Sequence, residues 1–312
     1  MGMLVEGVWH DVWYDTAKTG GAFKRMDSAF RYTIGDEFPV EAGRYHLFVS
    51  LACPWAHRTI IFRKLKGLEA AITMSVVDPL MLEQGWRFDG VDPLTGSEFL
   101  HQVYTTAVPD YTGRVTVPVL WDKRTRSIVN NESAEIIRLM NGPLAVLGDP
   151  STDYYPPDLA GEIDALNARI YDAVNNGVYK AGFATAQPAY EAAYAALFAM
   201  LDELEARLAG RRYLFGDRLT EADWRLFTTL VRFDAVYHGH FKCNRQTLQS
   251  FPSLWAYVRE LYQRPGIAET VSLDHIKRHY YISQHMVNPS RIVPVGPAID
   301  FTRPHGRESL PV

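Results

Sequence analysis

The sequence predicts an α/β domain followed by an all-α domain, and three observations carry that expectation. Between residues 45 and 141, β-branched and aromatic runs alternate with segments of helical spacing, in the order βαβ, a long irregular insert, then ββα. A polar, proline-bearing break follows at Gly148-Asp149-Pro150-Ser151, with Pro156-Pro157 soon after. Beyond it, Tyr190, Ala193, Tyr194, Leu197, Leu201, Leu204 and Leu208 recur at three- and four-residue steps, the stripe of a core-facing helix. The expected division is an arm at 1–44, an α/β domain at 45–150 and a helical domain with an extended tail at 151–312.

The arm has little periodicity but many aromatics, among them Trp9, Trp13, Tyr14, Phe23, Phe30 and Tyr32. Disordered segments are poor in such residues, so the arm is expected to be ordered and packed on other parts of the chain. Arg44 to Val49 reads as a strand, Thr59 to Leu65 as a helix ending at Gly67, and Ala71 to Val77 as a second strand. From Asp78 to about Val115 the chain reads as an insert rich in Gly, Asp and Pro, carrying Trp86 and Phe88; long loops of this kind are usually functional or disordered. Val117 to Trp121 and Ser127 to Asn130 form an expected hairpin, and Glu132 to Met140 a helix stopped by Asn141-Gly142-Pro143. This is the element order of a thioredoxin fold. Pro118 stands where that fold places a cis proline facing the active cysteine. In the helical half, Thr220-Glu221-Ala222-Asp223 has the look of a capping box for a helix carrying Trp224, Phe227, Leu230 and Val231. Further helices are expected after Pro252 and around His275 and His279, and residues 288–297 are expected to be extended.

Cys53 lies at the junction between the first strand and its helix, with Pro54 where the first turn begins. Proline fits there because its missing N–H would have lacked a helical partner anyway. The sulfur then faces unpaired N–H groups and the positive end of the helix dipole, which favour a thiolate. Ala56 stands where a Cys-x-x-Cys motif would carry its second cysteine. A mixed disulfide on Cys53 must therefore be resolved by an external thiol. The competing reading is a small buried cysteine in an ordinary turn.

Composition narrows the class. The chain has 312 residues, 47% hydrophobic and 22% charged, with a net charge of -4 and no polybasic run, which leaves no basic surplus for nucleic acid. Its apolar stretches are too short to span a bilayer, and the first residues lack the layout of a signal peptide. Two cysteines, Cys53 and Cys243, make no disulfide framework, so a reducing cytoplasm is the expected location.

An α/β domain of this order followed by helices resembles the cytosolic glutathione transferases, and Asn131-Glu132-Ser133 at a helix start fits their glutathione grip. Longer stretches narrow the match: Asp11 to Thr16, Cys53 to Arg58, Gly85-Trp86-Arg87-Phe88, Tyr237 to Asn244 and the tail from His275 to Pro297. Together they resemble the glutathionyl-hydroquinone reductases, or xi-class glutathione transferases. The resemblance implies glutathione-dependent reduction of S-glutathionyl hydroquinones, with glutathione disulfide as co-product and a homodimer as the assembly. It makes Cys53 the nucleophile and gives the holding of glutathione to Trp86, Arg114, Val117 (through its backbone), Glu132 and Ser133. Tyr179, Tyr237 and Tyr280 then line the hydroquinone pocket. An omega-like thioltransferase or dehydroascorbate reductase shares Cys53 and the grip, but not the 78–115 insert or the tail. A binding scaffold without activity and a metal site built from His238, His240 and Cys243, or from His275 and His279, are the remaining alternatives. No four-ligand spacing supports the metal, so none is expected.

Overall fold

The computed structural model describes residues 2–310, and the arm opens with a hairpin of β1 (Met3–Val5) and β2 (Val8–His10). Glu6 and Gly7 form its two-residue turn, both at positive φ (49° and 78°), the geometry that suits the strand twist. The core of this part is a four-stranded sheet in the order β4-β3-β6-β7. β3 (Tyr45–Val49) is buried along its whole length, its one polar side chain, His46, pairing through Nδ1 with Thr73 Oγ1 at 2.7 Å. It leads into α1 (Pro54–Leu65), and β4 (Ile72–Val76) returns parallel to β3, Tyr45 opposite Ile72.

The insert from 78 to 115 is not wholly irregular. It contains α2 (Leu100–Ala107), which buries Leu100, Val103 and Tyr104, and a short β5 (Gly113–Arg114) that pairs with β1. Gln102 starts α2 by accepting the N–H groups of Glu98 (2.8 Å) and Phe99 (3.0 Å). Asp92 closes the loop before it, accepting the N–H of Thr95 at 2.8 Å. β6 (Val119–Asp122) runs antiparallel to β3, and β7 (Ser127–Asn130) antiparallel to β6. α3 (Ser133–Asn141) then packs against α1.

By its contacts the chain forms two units, one running up to Trp13 and over Arg25–Asp153, the other comprising Tyr14–Lys24 and the chain from Tyr154 onward. The arm is thus shared between them. Its middle stretch sits within the second unit: Thr185 donates its N–H to Gly21 (3.0 Å), and Phe23 meets Phe183 edge-on at 5.3 Å. Gly21, at φ 85°, passes so close to Ala186 that a Cβ there would lie 2.4 Å from the alanine Cβ. Only glycine fits.

In the second unit α4 (Ala160–Ile170) runs through a π-helical turn at Tyr171–Asn175 into α5 (Gly177–Gly182). α6 (Gln187–Leu208) carries the stripe read from the sequence, and α7 (Glu221–Leu230) is buried at every residue. A second π-helical turn, Phe233–Tyr237, follows it, then α8 (Pro252–Tyr262) and α9 (Leu273–Ser283).

A helix buried on all sides must have its end groups satisfied internally. Asp223 does this for α7. Its Oδ2 accepts from Thr220 N–H (2.8 Å) and hydroxyl (3.1 Å), and its Oδ1 from Leu214 N–H (2.9 Å) and the Tyr257 hydroxyl (2.8 Å). Asp223→Ala should therefore cost about 3 kcal/mol, combining a lost cap with buried donors left unmet. Chemical denaturation followed by helical signal measures it; a loss below about 1 kcal/mol, the size of an exposed cap, would contradict this role for Asp223.

Candidate active site

In the first unit the chain leaves β3 at Val49 and reaches Cys53 through a turn in which Ser50 Oγ accepts the N–H of Ala52 at 3.2 Å. Cys53 is the N-cap of α1, extended at φ -77° and ψ 122°, and its carbonyl accepts the N–H of His57 (3.0 Å) to open the helix. The half-buried sulfur accepts the N–H of Ala56 at 3.5 Å and faces the carbonyl of Val117 at 3.6 Å. The Val117–Pro118 peptide is cis, as its place in the sequence led us to expect. The N–H directed at the sulfur favours negative charge on it, whereas the Val117 carbonyl favours the protonated thiol. Cys243 has the opposite surroundings: it is fully buried, and burial pushes its thiol pKa well up.

The start of α3 supplies a second feature of the same unit. Glu132 is its N-cap, Oε1 accepting the N–H of Ala134 at 3.0 Å, while Oε2 accepts the Ser28 hydroxyl at 3.2 Å. Asn130 Oδ1 accepts the Glu132 N–H (2.7 Å) and Asn131 Oδ1 that of Phe30 (3.1 Å), so the turn before α3 is fixed from both sides. Ser133, the first helical residue, is buried with its hydroxyl 3.4 Å from Glu132 Oε1. The other two residues tied by resemblance to glutathione are placed differently. Trp86 is buried in the insert, its carbonyl accepting the N–H of Leu100 at 2.9 Å. Arg114 donates to the carbonyls of Val12 (2.5 Å) and Trp13 (3.1 Å), and so ties the end of the arm's first stretch to β5.

Two residues not singled out by the sequence reading belong to this neighbourhood. Arg58, on the buried side of α1 and 1% exposed, donates from Nη1 to Ser133 Oγ at 3.3 Å. Its guanidinium carbon also lies 4.6 Å from the Trp55 ring centre, and that of Arg25 lies 4.9 Å from it. The only signal for Arg58 was a basic residue on the apolar face of a helix, a position where arginine is costly without polar partners.

In the second unit the three tyrosines come together. The hydroxyl of Tyr280 is 2.5 Å from that of Tyr179 and 3.0 Å from that of Tyr237. Their rings enclose Phe241, with centroids 5.4 to 5.6 Å from it. Burial, reinforced by the neighbouring tyrosines, holds Tyr237 and Tyr280 well above the usual phenol pKa, against a smaller opposing effect of Arg232. Both hydroxyls therefore stay protonated at neutral pH.

Nε2 of His240 pairs with Gln284 Oε1 at 2.8 Å, and among the described residues no group of three or more His, Cys, Asp or Glu is placed to hold an ion. Among the described residues no helix is long and apolar enough to cross a membrane.

Comparison with known proteins agrees with the geometry. Residues 52–141 match the family model for the glutathione S-transferase N-terminal domain, and residues 187–260 that for the C-terminal domain. The chain is 55% identical, over 99% of each sequence, to the glutathionyl-hydroquinone reductase YqjG of Escherichia coli. The glutathione-bound structure of that protein superposes with a TM-score of 0.90 over 99% of each chain. The glutathionyl-hydroquinone reductase PcpF of Sphingobium chlorophenolicum is 54% identical over 96% of this chain and 97% of its own. A xi-class glutathione transferase from Natrialba magadii, 49% identical, superposes with a TM-score of 0.92 over 99% of this chain and 97% of that one.

Proposed function

The chain belongs to the glutathione transferases, in the xi class of glutathionyl-hydroquinone reductases, and from that membership we propose that it reduces S-glutathionyl hydroquinones with glutathione through a mixed disulfide on Cys53. The observation that carries the reading is the Cys53 sulfur at the start of α1, accepting the Ala56 N–H. We assign glutathione to the first turn of α3: the Ser133 hydroxyl and N–H take the γ-glutamyl carboxylate, and Glu132 takes the amine. Trp86, Arg114 and the Val117 backbone are assigned to the same ligand. For Arg114 this asks one guanidinium to serve both the arm and glutathione.

The first step has a poor leaving group. Cys53 attacks the sulfur of the conjugate, whose other substituent is an aromatic carbon. Protonating that carbon gives a keto tautomer, from which the carbon departs as an enolate and re-aromatises to the hydroquinone. The S–S bond forms as the C–S bond breaks; the ring carbon is reduced and the two sulfurs are oxidised. Proton transfer of this kind needs a positioned donor and acceptor, which we assign to Tyr179, Tyr237 and Tyr280. A second glutathione then attacks the mixed disulfide, releasing glutathione disulfide and the Cys53 thiolate.

Intact-mass spectrometry tests the intermediate. Incubation with glutathione disulfide should add one glutathione to Cys53, removable by dithiothreitol, because Ala56 provides no resolving thiol. An adduct mapping to Cys243, or no adduct on an otherwise active enzyme, would overturn the assignment. A homodimer and a cytoplasmic location complete the reading. A reducing compartment suits a cysteine that external thiols must regenerate, and light scattering of the purified protein tests the dimer.

A further inference from the structure

A guanidinium that is 1% exposed is held in the protein only where polar atoms or π-faces replace its water. For Arg58 these include the Trp55 ring and the Ser133 hydroxyl. The bond to Ser133 has a directional consequence. A serine hydroxyl has one proton and two lone pairs, and an arginine N–H is always a donor, so one lone pair is taken. The proton is left to point elsewhere, and its nearest described acceptor, Glu132 Oε1, is distant at 3.4 Å. An arriving carboxylate would outcompete that acceptor. Donation from a cation also polarises the hydroxyl, so the bond it gives is strengthened by the bond it accepts. The charge itself stands one hydroxyl away from the first turn of α3, adding to the helix dipole.

We propose that Arg58 is a positioning residue for the γ-glutamyl α-carboxylate of glutathione, presetting Ser133 as a hydrogen-bond donor and adding buried positive charge behind it. This rests on the assignment of glutathione to Ser133. It makes Arg58 responsible for discriminating thiols that carry this carboxylate from those that lack it, although Arg58 itself acts through Ser133. Lysine is not an equivalent, since it has the charge without the planar fork that reaches both the Trp55 face and the hydroxyl.

The test is calorimetric binding of glutathione and of γ-aminobutyryl-cysteinyl-glycine, the same tripeptide with the α-carboxylate replaced by hydrogen. Arg58→Met should weaken glutathione about tenfold or more while changing the analogue less than about twofold, the size expected for a hydrogen bond to a charged group. Combined with Ser133→Ala, it should lose most of that effect, because the two act on one carboxylate. In turnover, KM for glutathione should rise with little change in kcat. Equal weakening of both ligands would reduce Arg58 to a packing residue and overturn the proposal, as would a full Arg58→Met effect in the Ser133→Ala background. If Arg58→Met does not fold, Arg58→Lys replaces it and should still weaken glutathione selectively; equal affinities of that variant and the parent for glutathione would overturn the proposal. Unchanged glutathione binding in Ser133→Ala alone would instead reject the assignment of glutathione to Ser133, which is a separate failure.

Discussion

Cys53→Ser is expected to lower turnover of a glutathionyl hydroquinone by about a thousandfold or more, because no other group supplies the attacking sulfur. Serine is among the preferred N-cap residues, so the start of α1 should survive the change. Loss of activity in a protein with unchanged melting behaviour then belongs to the sulfur itself. Cys243→Ser is the control: that thiol is buried and its pKa is pushed up, so it should keep most of the activity even if a buried hydroxyl costs some stability. Steady-state assays beside thermal melts decide the matter. Activity lost in folded Cys243→Ser, or retained in Cys53→Ser, would move the nucleophile elsewhere.

The parts of the fold that were legible in the sequence are those whose physics is local. β3 announced itself by its aromatic and β-branched run, α6 by its stripe, α7 by Thr220 and Asp223, and Cys53 by its place between strand and helix. α2 was equally local, with Leu100, Val103 and Tyr104 at helical spacing, but the Gly, Asp and Pro residues around it obscured so short a segment. The sharing of the arm between two units was not legible at all. Aromatic content shows that a segment packs, whereas the partner of Phe23 lies 160 residues away at Phe183 and follows from the tertiary fold alone. Arg58 was hidden for a related reason. A lone arginine on a helix usually reaches water, and only the approach of α3 to α1 turns this one inward onto Ser133.

The tyrosines offer the sharper division between chemistry and binding. Replacing Tyr179, Tyr237 or Tyr280 by phenylalanine keeps the ring, and with it the packing around Phe241, but removes one of three clustered hydroxyls. Tyr280 lies within hydrogen-bond distance of both of the others, so Tyr280→Phe should disturb the cluster most. Cleavage of the carbon–sulfur bond should slow by about a hundredfold to ten-thousandfold if these hydroxyls move the proton onto the sulfur-bearing ring carbon. Reduction of an ordinary glutathione mixed disulfide needs no such proton, since its leaving group is already a thiolate, and should change less than about threefold, the order expected of a lost neutral hydrogen bond. Each variant is therefore assayed on both substrates at saturating glutathione. A loss confined to the hydroquinone conjugate assigns the hydroxyls to proton transfer. Equal losses on both substrates would mean that the tyrosines only shape and pack their surroundings, and the proton would have to come from water or from another side chain.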